Sequence, residues 1–220
     1  MDDAHAAMKH TPIRLVAFDL DGTLLRHQTV CELLAHHLGT SERMRQLEQL
    51  DQPAAIRQAR REMLGWYRAY SLTQLCAFLP SAQLAPGAEE GIALLKQHQM
   101  QLALVSITWE FAVAWFAHQW GMQHFVGTRV SAAGAISHFW PADKAGWVAR
   151  LAHRLQLDLS QVAAVGDSAG DVPMLRLSGF PIFVGKTLPE GLSPEAHDPA
   201  GDIYRIAQRI VTYARRASPS

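Results

Sequence analysis

Residues 13–23 read IRLVAFDLDGT. The first six form a short apolar run, broken only by Arg14, that stops abruptly at Asp19. A short, continuous apolar run of this kind reads as a buried strand. Two carboxylates, Asp19 and Asp21, then stand two residues apart where the strand opens into a loop. Ligands of open α/β sheets bind outside the carboxyl ends of strands, so this loop is where a site is expected. Gly22 lets backbone come close to a ligand there.

Similar runs recur along the chain. Residues 102–105 (LALV) end at Ser106, residues 162–165 (VAAV) end at Gly166-Asp167, and residues 181–184 read PIFV. Residues 125–130 supply a fifth candidate strand. Helical patterns lie at residues 88–98, 110–120, 145–155 and 202–214, the third with Trp147, Val148, Leu151 and Leu155 on one face. Strands alternating with helices predict an α/β fold, a Rossmann-like three-layer architecture around a parallel sheet. Residues 25–84 break the alternation with helical patterns only. Some 60 residues is too long for one crossover. An inserted all-helical cap over 25–84 is predicted, with the core formed by 11–24 and 85–217. Residues 1–10 and 218–220 are expected to be flexible termini, as is the tail ARRASPS to fray.

A second acidic pair, Asp167 and Asp171, follows the third run in Gly166-Asp167-Ser168-Ala169-Gly170-Asp171. Four carboxylates at one site repel: two unit charges 4 Å apart interact by about 4 kcal/mol at an effective dielectric of 20. A hard divalent cation with oxygen ligands removes the conflict, and Mg²⁺ suits one or two carboxylates with phosphate and water. Ser106 ends the second run, and Lys144 opens the helix before the third. A hydroxyl and an ammonium beside such a cluster suit a phosphate group. Taken singly, each acidic pair is also compatible with an ordinary turn or helix cap.

Together these residues resemble the haloacid dehalogenase superfamily. Asp19-Leu20-Asp21-Gly22-Thr23 matches its DxDGT motif, Ser106 its strand-end Ser/Thr, Lys144 its lone lysine, and Gly166 to Asp171 its GDxxxD motif. The resemblance spans about residues 13–186. It implies Asp19 as nucleophile, forming an aspartyl-phosphate. It implies Asp21 as general acid and then base, and phosphate binding by Ser106, Lys144 and Gly22. Mg²⁺ would be held by Asp19, Asp167 and the Asp21 backbone, with Asp171 acting through water or holding Lys144. The helical insert after the first strand resembles the phosphoserine phosphatase-like branch. That branch implies substrate contacts from the positions of Gln28, Glu32, Arg60, Arg61, Ile107, Trp109 and Gly170. Three of these depart from its pattern: Gln28 is neutral where a Glu is usual, Ile107-Thr108 stand in place of two glycines, and Gly170 replaces an Asn. The implied activity is hydrolysis of a small phosphorylated metabolite. The alternatives are transfer of the same phosphoryl group to an alcohol, or binding of a phosphorylated ligand without turnover.

Composition bounds the rest. Lys plus Arg and Asp plus Glu are both 20, so no broad nucleic-acid footprint is expected. No apolar run approaches the ~20 residues that span a bilayer. The acidic, polar start MDDAHAAMKHTP lacks a signal-peptide pattern, so a soluble cytoplasmic protein is expected. Cys31 and Cys76 read as reduced apolar side chains. The histidines form no metal-binding spacing, Gly185-Lys186-Thr187 lacks the upstream P-loop glycine, and the tryptophans read as core.

Overall fold

The computed structural model describes residues 12–216. The termini expected to be flexible lie outside the described residues. Residues 214–216 of the tail expected to fray instead continue the last helix.

Among the described residues, one sheet of six strands organises the chain: β1 (Leu15–Phe18), β2 (Gln101–Trp109), β3 (His124–Val130), β4 (Ile136–Ser137), β5 (Val162–Gly166) and β6 (Phe180–Phe183). Their spatial order is β4-β3-β2-β1-β5-β6. β1 lies in the middle, paired in parallel with β2 and with β5. β2 also pairs in parallel with β3, and β5 with β6.

The expected parallel sheet gains one short antiparallel strand at its edge. β4 runs antiparallel to β3, because a turn at 131–135 folds the chain straight back. The Ser131 amide donates to the Ala135 carbonyl at 2.9 Å and the Gly134 amide to the Ser131 carbonyl at 2.8 Å.

Side chains of β1 alternate between two layers. Val16 and Phe18 pack into a core with α5 (Ala88–Gln97), α6 (Glu110–Trp120) and α9 (Ile203–Arg216). Leu15 and Ala17 face a separate core with α7 (Pro141–Arg154) and α8 (Val172–Leu177). α9 buries Ile203, Ile206, Ala207 and Ile210, the i, i+3, i+4, i+7 stripe of a helix docked on a core. Each of the three isoleucines contributes roughly 1.5–3 kcal/mol by leaving water.

Between β1 and α5 the chain forms only helices: α1 (Val30–His37), α2 (Ser41–Leu47), α3 (Pro53–Tyr67), α4 (Leu72–Cys76) and a 3₁₀ turn at Leu79–Ser81. Departure and return run side by side. The Ala85 amide donates to the Leu24 carbonyl and the Arg26 amide to the Gln83 carbonyl, both at 2.8 Å.

Two boundaries shift in ways that matter for the site. β2 does not stop at Ser106 but continues to Trp109, through an irregular register. Val105 pairs with Val126 and Trp109 with Thr128, so three residues of β2 oppose the single Gly127 of β3. This is a bulge, a device that re-aims side chains next to sites. Lys144 does not open its helix either: α7 starts at Pro141, whose fixed φ and missing N–H suit a first helical position.

Candidate active site

β1 delivers Asp19 to the carboxyl edge of the sheet, and the Asp19 amide donates to the Val165 carbonyl at 2.9 Å. That bond sets the DxDGT loop directly beside the loop after β5. Asp19, Asp167 and Asp171 then present carboxylate oxygens all within 4.8 Å of one another.

Lys144 reaches into this cluster from α7. Its ammonium donates to Asp19 Oδ1 and to Asp171 Oδ1, both at 2.6 Å, and all three side chains are buried. Burial alone would lower the Lys144 pKa, but the two carboxylates outweigh it and hold the ammonium charged. Asp19 remains shifted well upward by burial and by repulsion from Asp171, with Lys144 offsetting only part. Asp167 is also raised, by burial and by Asp171. One ammonium therefore does not neutralise three carboxylates.

The remaining acceptor sites tell which groups stay open. Asp171 is fully buried, and its Oδ2 accepts from the Asp167 amide, the Ser168 amide and the Ser168 hydroxyl at 3.2, 3.0 and 2.9 Å. Its other oxygen holds Lys144, so Asp171 acts as a fixed anchor. Among the described residues, the Asp167 carboxylate receives only the Thr23 hydroxyl, at 3.1 Å on Oδ1. Gly22 leaves room beside it: a Cβ there would lie 2.2 Å from Asp167 Oδ2, and φ is +84°. A divalent cation fits this donor set, since Asp19 and Asp167 offer hard oxygens and excess negative charge.

Asp21 is placed differently. Its Oδ1 accepts from the Val30 amide at 2.8 Å, joining the loop to the first turn of α1. Burial raises its pKa to about 7, with the Val30 amide opposing and Glu48 adding to the rise. Ser106 sits in the β2 bulge, 1% exposed, its Oγ accepting from the Thr108 amide at 3.2 Å. Its hydroxyl proton remains available for an anion.

A cavity of about 360 Å³ opens over these groups, with Asp19, Asp21, Ser106 and Lys144 at one end. Of the residues expected to touch substrate, Arg60, Ile107, Trp109 and Gly170 line it. The others do not. Gln28 and Glu32 face a separate hollow with His36, Arg45 and Gln83. Glu32 closes a capping box on α1: it accepts from the Thr29 amide at 2.7 Å while its own amide donates to the Thr29 hydroxyl at 3.1 Å. Arg61 is exposed and bonds Gln58 on its own helix. Gly22 faces Asp167 and is not among the lining residues.

Sequence reasoning missed Glu48, the C-cap of α2, which lines the cavity and accepts from the Thr29 hydroxyl at 3.2 Å. It also missed the apolar wall of Met44, Leu47, Ile56, Ala59 and Met63. The last three follow helical spacing with Arg60, a face legible in the sequence once its partner is known. Cys31 also lines the cavity, but burial and Asp21 push its thiol up to about 12, so it stays an inert side chain.

Fold and cluster together define a Rossmann-like protein with an acidic pocket at the carboxyl edge of its sheet, a donor set suited to a divalent cation. The chain belongs to the haloacid dehalogenase-like hydrolases, whose family model matches residues 16–176. It is 23% identical to a phosphoserine phosphatase of Methanocaldococcus jannaschii over 178 residues, 77% of this chain and 84% of that one. A 40-residue stretch is 45% identical to a phosphoglycolate phosphatase of Methanothrix thermoacetophila, but covers only 18% of either chain. A crystal structure of phosphoserine phosphatase in the apo form superposes with a TM-score of 0.64 at 21% identity, over 78% of this chain and 86% of that one.

Proposed function

We propose that this hydrolase is a Mg²⁺-dependent phosphomonoesterase that moves the phosphoryl group of a small metabolite onto Asp19 and then to water. The observation that carries the reading is Lys144 bridging Asp19 and Asp171 at 2.6 Å each, beside Asp167. An anionic nucleophile meeting an anionic phosphate needs charge neutralisation and positioning above all, and this cluster offers both.

In this reading a carboxylate oxygen of Asp19 attacks phosphorus, and the ester bond to the leaving alkoxide breaks. Asp21, whose pKa of about 7 keeps a proton available near neutrality, gives that proton to the leaving oxygen. The Val30 amide fixes one of its oxygens and leaves the other to work. Asp21 then takes a proton from the water that attacks the phosphorus of the aspartyl-phosphate, and the Asp19 oxygen–phosphorus bond breaks to release phosphate and restore the carboxylate. Ser106 and Lys144 hold phosphoryl oxygens. Asp19 and Asp167, with the Asp21 backbone, would hold Mg²⁺, which neutralises charge on the phosphoryl group when bound. The helical insertion serves as a cap that excludes bulk water. The similarity to a phosphoserine phosphatase over most of both chains supports phosphomonoester chemistry. The expected setting is the cytoplasm, and no helix among the described residues is long and apolar enough to cross a membrane.

The test is phosphate release from a panel of small phosphomonoesters with Mg²⁺, alongside Asp19→Asn. Turnover that requires both Mg²⁺ and Asp19 is expected, with Asp19→Asn slower by at least about 10³-fold. Phosphoryl products on an added alcohol in place of free phosphate would replace hydrolysis by transfer. Absence of both, in a folded protein that binds Mg²⁺, would overturn the reading.

A further inference from the structure

Arg60 is a buried guanidinium, 7% exposed, on the cavity wall. Its two hydrogen-bond partners, a histidine ring nitrogen and a backbone carbonyl, lie outside the helical insertion. Nη1 bonds His138 Nδ1 at 2.9 Å, and Nη2 donates to the Ile107 carbonyl at 2.9 Å. Its carbon lies 5.0 Å from the centre of the Trp140 ring. Arg57, one turn earlier on α3, lies 5.0 Å from the same ring, and His138 stacks on it at 5.1 Å. Trp140 is thus not the core residue expected from sequence. It is a platform on which two arginines of the helical insertion and one histidine of the β4–α7 connection meet.

The Ile107 carbonyl also accepts from the Thr128 hydroxyl at 2.9 Å, and Ile107 follows Ser106 in the bulge. Arg60 therefore ties α3 to the residue adjoining a phosphate-binding group. Ile56, Ala59 and Met63 of the same helix line the cavity together with Met44, Leu47 and Trp109. Glu48 adds a carboxylate of the insertion to that lining. A leaving group with its own carboxylate would meet apolar side chains and a like charge there, while the guanidinium of the lining, Arg60, is already held by His138 and the Ile107 carbonyl.

We propose that Arg60 is a positioning residue that fastens α3 onto the core, and that the cavity it closes selects a phosphomonoester with an apolar leaving group lacking a carboxylate. The kinetic half rests on the phosphatase reading; the structural half does not. With about 360 Å³ available, the phosphoryl group leaves room for only a small organic part.

The experiment compares wild type, Arg60→Met and Arg60→Lys. Three substrates are used with Mg²⁺: phosphoserine, O-phosphoethanolamine (the same skeleton without the carboxylate) and p-nitrophenyl phosphate. Hydrogen exchange across residues 53–67 and 136–140 is measured in parallel. For wild type, kcat/KM on p-nitrophenyl phosphate should exceed that on phosphoserine by at least tenfold, with phosphoethanolamine not below phosphoserine. Arg60→Met should lower kcat/KM on all three by a similar factor and speed exchange in both segments, and Arg60→Lys should recover part of each. A loss confined to phosphoserine, or phosphoserine as the preferred substrate, would overturn the proposal and make Arg60 a ligand for a substrate carboxylate. If wild type turns over nothing, the phosphatase reading fails, and unchanged exchange in Arg60→Met would then overturn the fastening role on its own. Should Arg60→Met not fold, His138→Ala removes one of the two hydrogen-bond partners and carries the same comparison.

Discussion

Lys144 is the residue on which the acidic cluster depends. It sits 2.6 Å from two buried carboxylates, and removing one member of a buried ion network leaves charge with no partner. Lys144→Met should cost about 3–5 kcal/mol at neutral pH, read by urea denaturation. Without the ammonium, Asp19, which burial and Asp171 already shift upward, is easier to fold protonated than ionised. The deficit relative to wild type should therefore shrink as pH falls. A deficit that stays constant with pH would show that Lys144 acts through packing alone. Glu48 makes a different prediction. It raises the pKa of Asp21, and a general acid in the role proposed for Asp21 is active only while protonated. Glu48→Gln should lower that pKa and move the alkaline limb of the kcat profile to lower pH. Phosphate release measured from pH 5 to 9 checks this, and an unmoved limb would separate Glu48 from Asp21. Nothing in local sequence marks Glu48, because its neighbourhood with Asp21 depends on how α2 folds back on α1.

At the scale of elements, local signals and tertiary ones separate cleanly. Thr29-Val30-Cys31-Glu32 is a capping box in plain sight, and recognising it accounts for the Glu32 carboxylate at the start of α1. β2 was harder to delimit. Ser106 and Thr108 interrupt an apolar run, yet strand geometry persists through the bulge because Gly127 lets β3 come close. A Cβ at Gly127 would lie 2.8 Å from the Thr108 carbonyl oxygen. The α3 contact carries a pH prediction. Burial lowers the His138 pKa below the ordinary 6.5, as do Arg60, Arg57 and Arg61 nearby. The folded contact thus favours neutral imidazole, whose Nδ1 can accept from Arg60. Its stabilisation is complete above the ordinary value and is lost as pH falls below it. Exchange in residues 53–67, corrected for intrinsic rates, should quicken between pH 7.5 and 5.5, and His138→Gln should flatten that change.

For the molecule as a whole, the excess negative charge at the sheet's carboxyl edge predicts that folding is coupled to cation binding. A ligand that binds only the folded state stabilises by about 2.7 kcal/mol at a hundred times its Kd. For a chain of this size that corresponds to roughly 5–10 °C in Tm. Mg²⁺ should raise Tm on this scale, more at pH 8 than at pH 5.5, because protons compete for Asp19 and Asp167, whose pKa values are raised. Asp167→Asn should abolish most of the shift. A wild-type Tm indifferent to Mg²⁺ would remove the cation from the site.

The amino-acid sequence by itself determined the alternating α/β plan, the position of the helical insertion and the four chemical motifs. The reason is local: a buried parallel strand must be an unbroken apolar run, so the first carboxylate after it marks the sheet's edge where ligands bind. Pairing of β1 with both β2 and β5 then gathers residues distant in the chain, which is why Asp19 and Asp167 meet. Only the tertiary structure decided which residues of the insertion face that edge. Gln28, Glu32, Arg60, Arg61 and Glu48 are all polar residues of the insertion, and local pattern does not distinguish them. Their assignment depends on how the helices are docked, and docking is set by long-range packing, the Leu24–Ala85 and Arg26–Gln83 tethers, and the Arg60 contacts to the core.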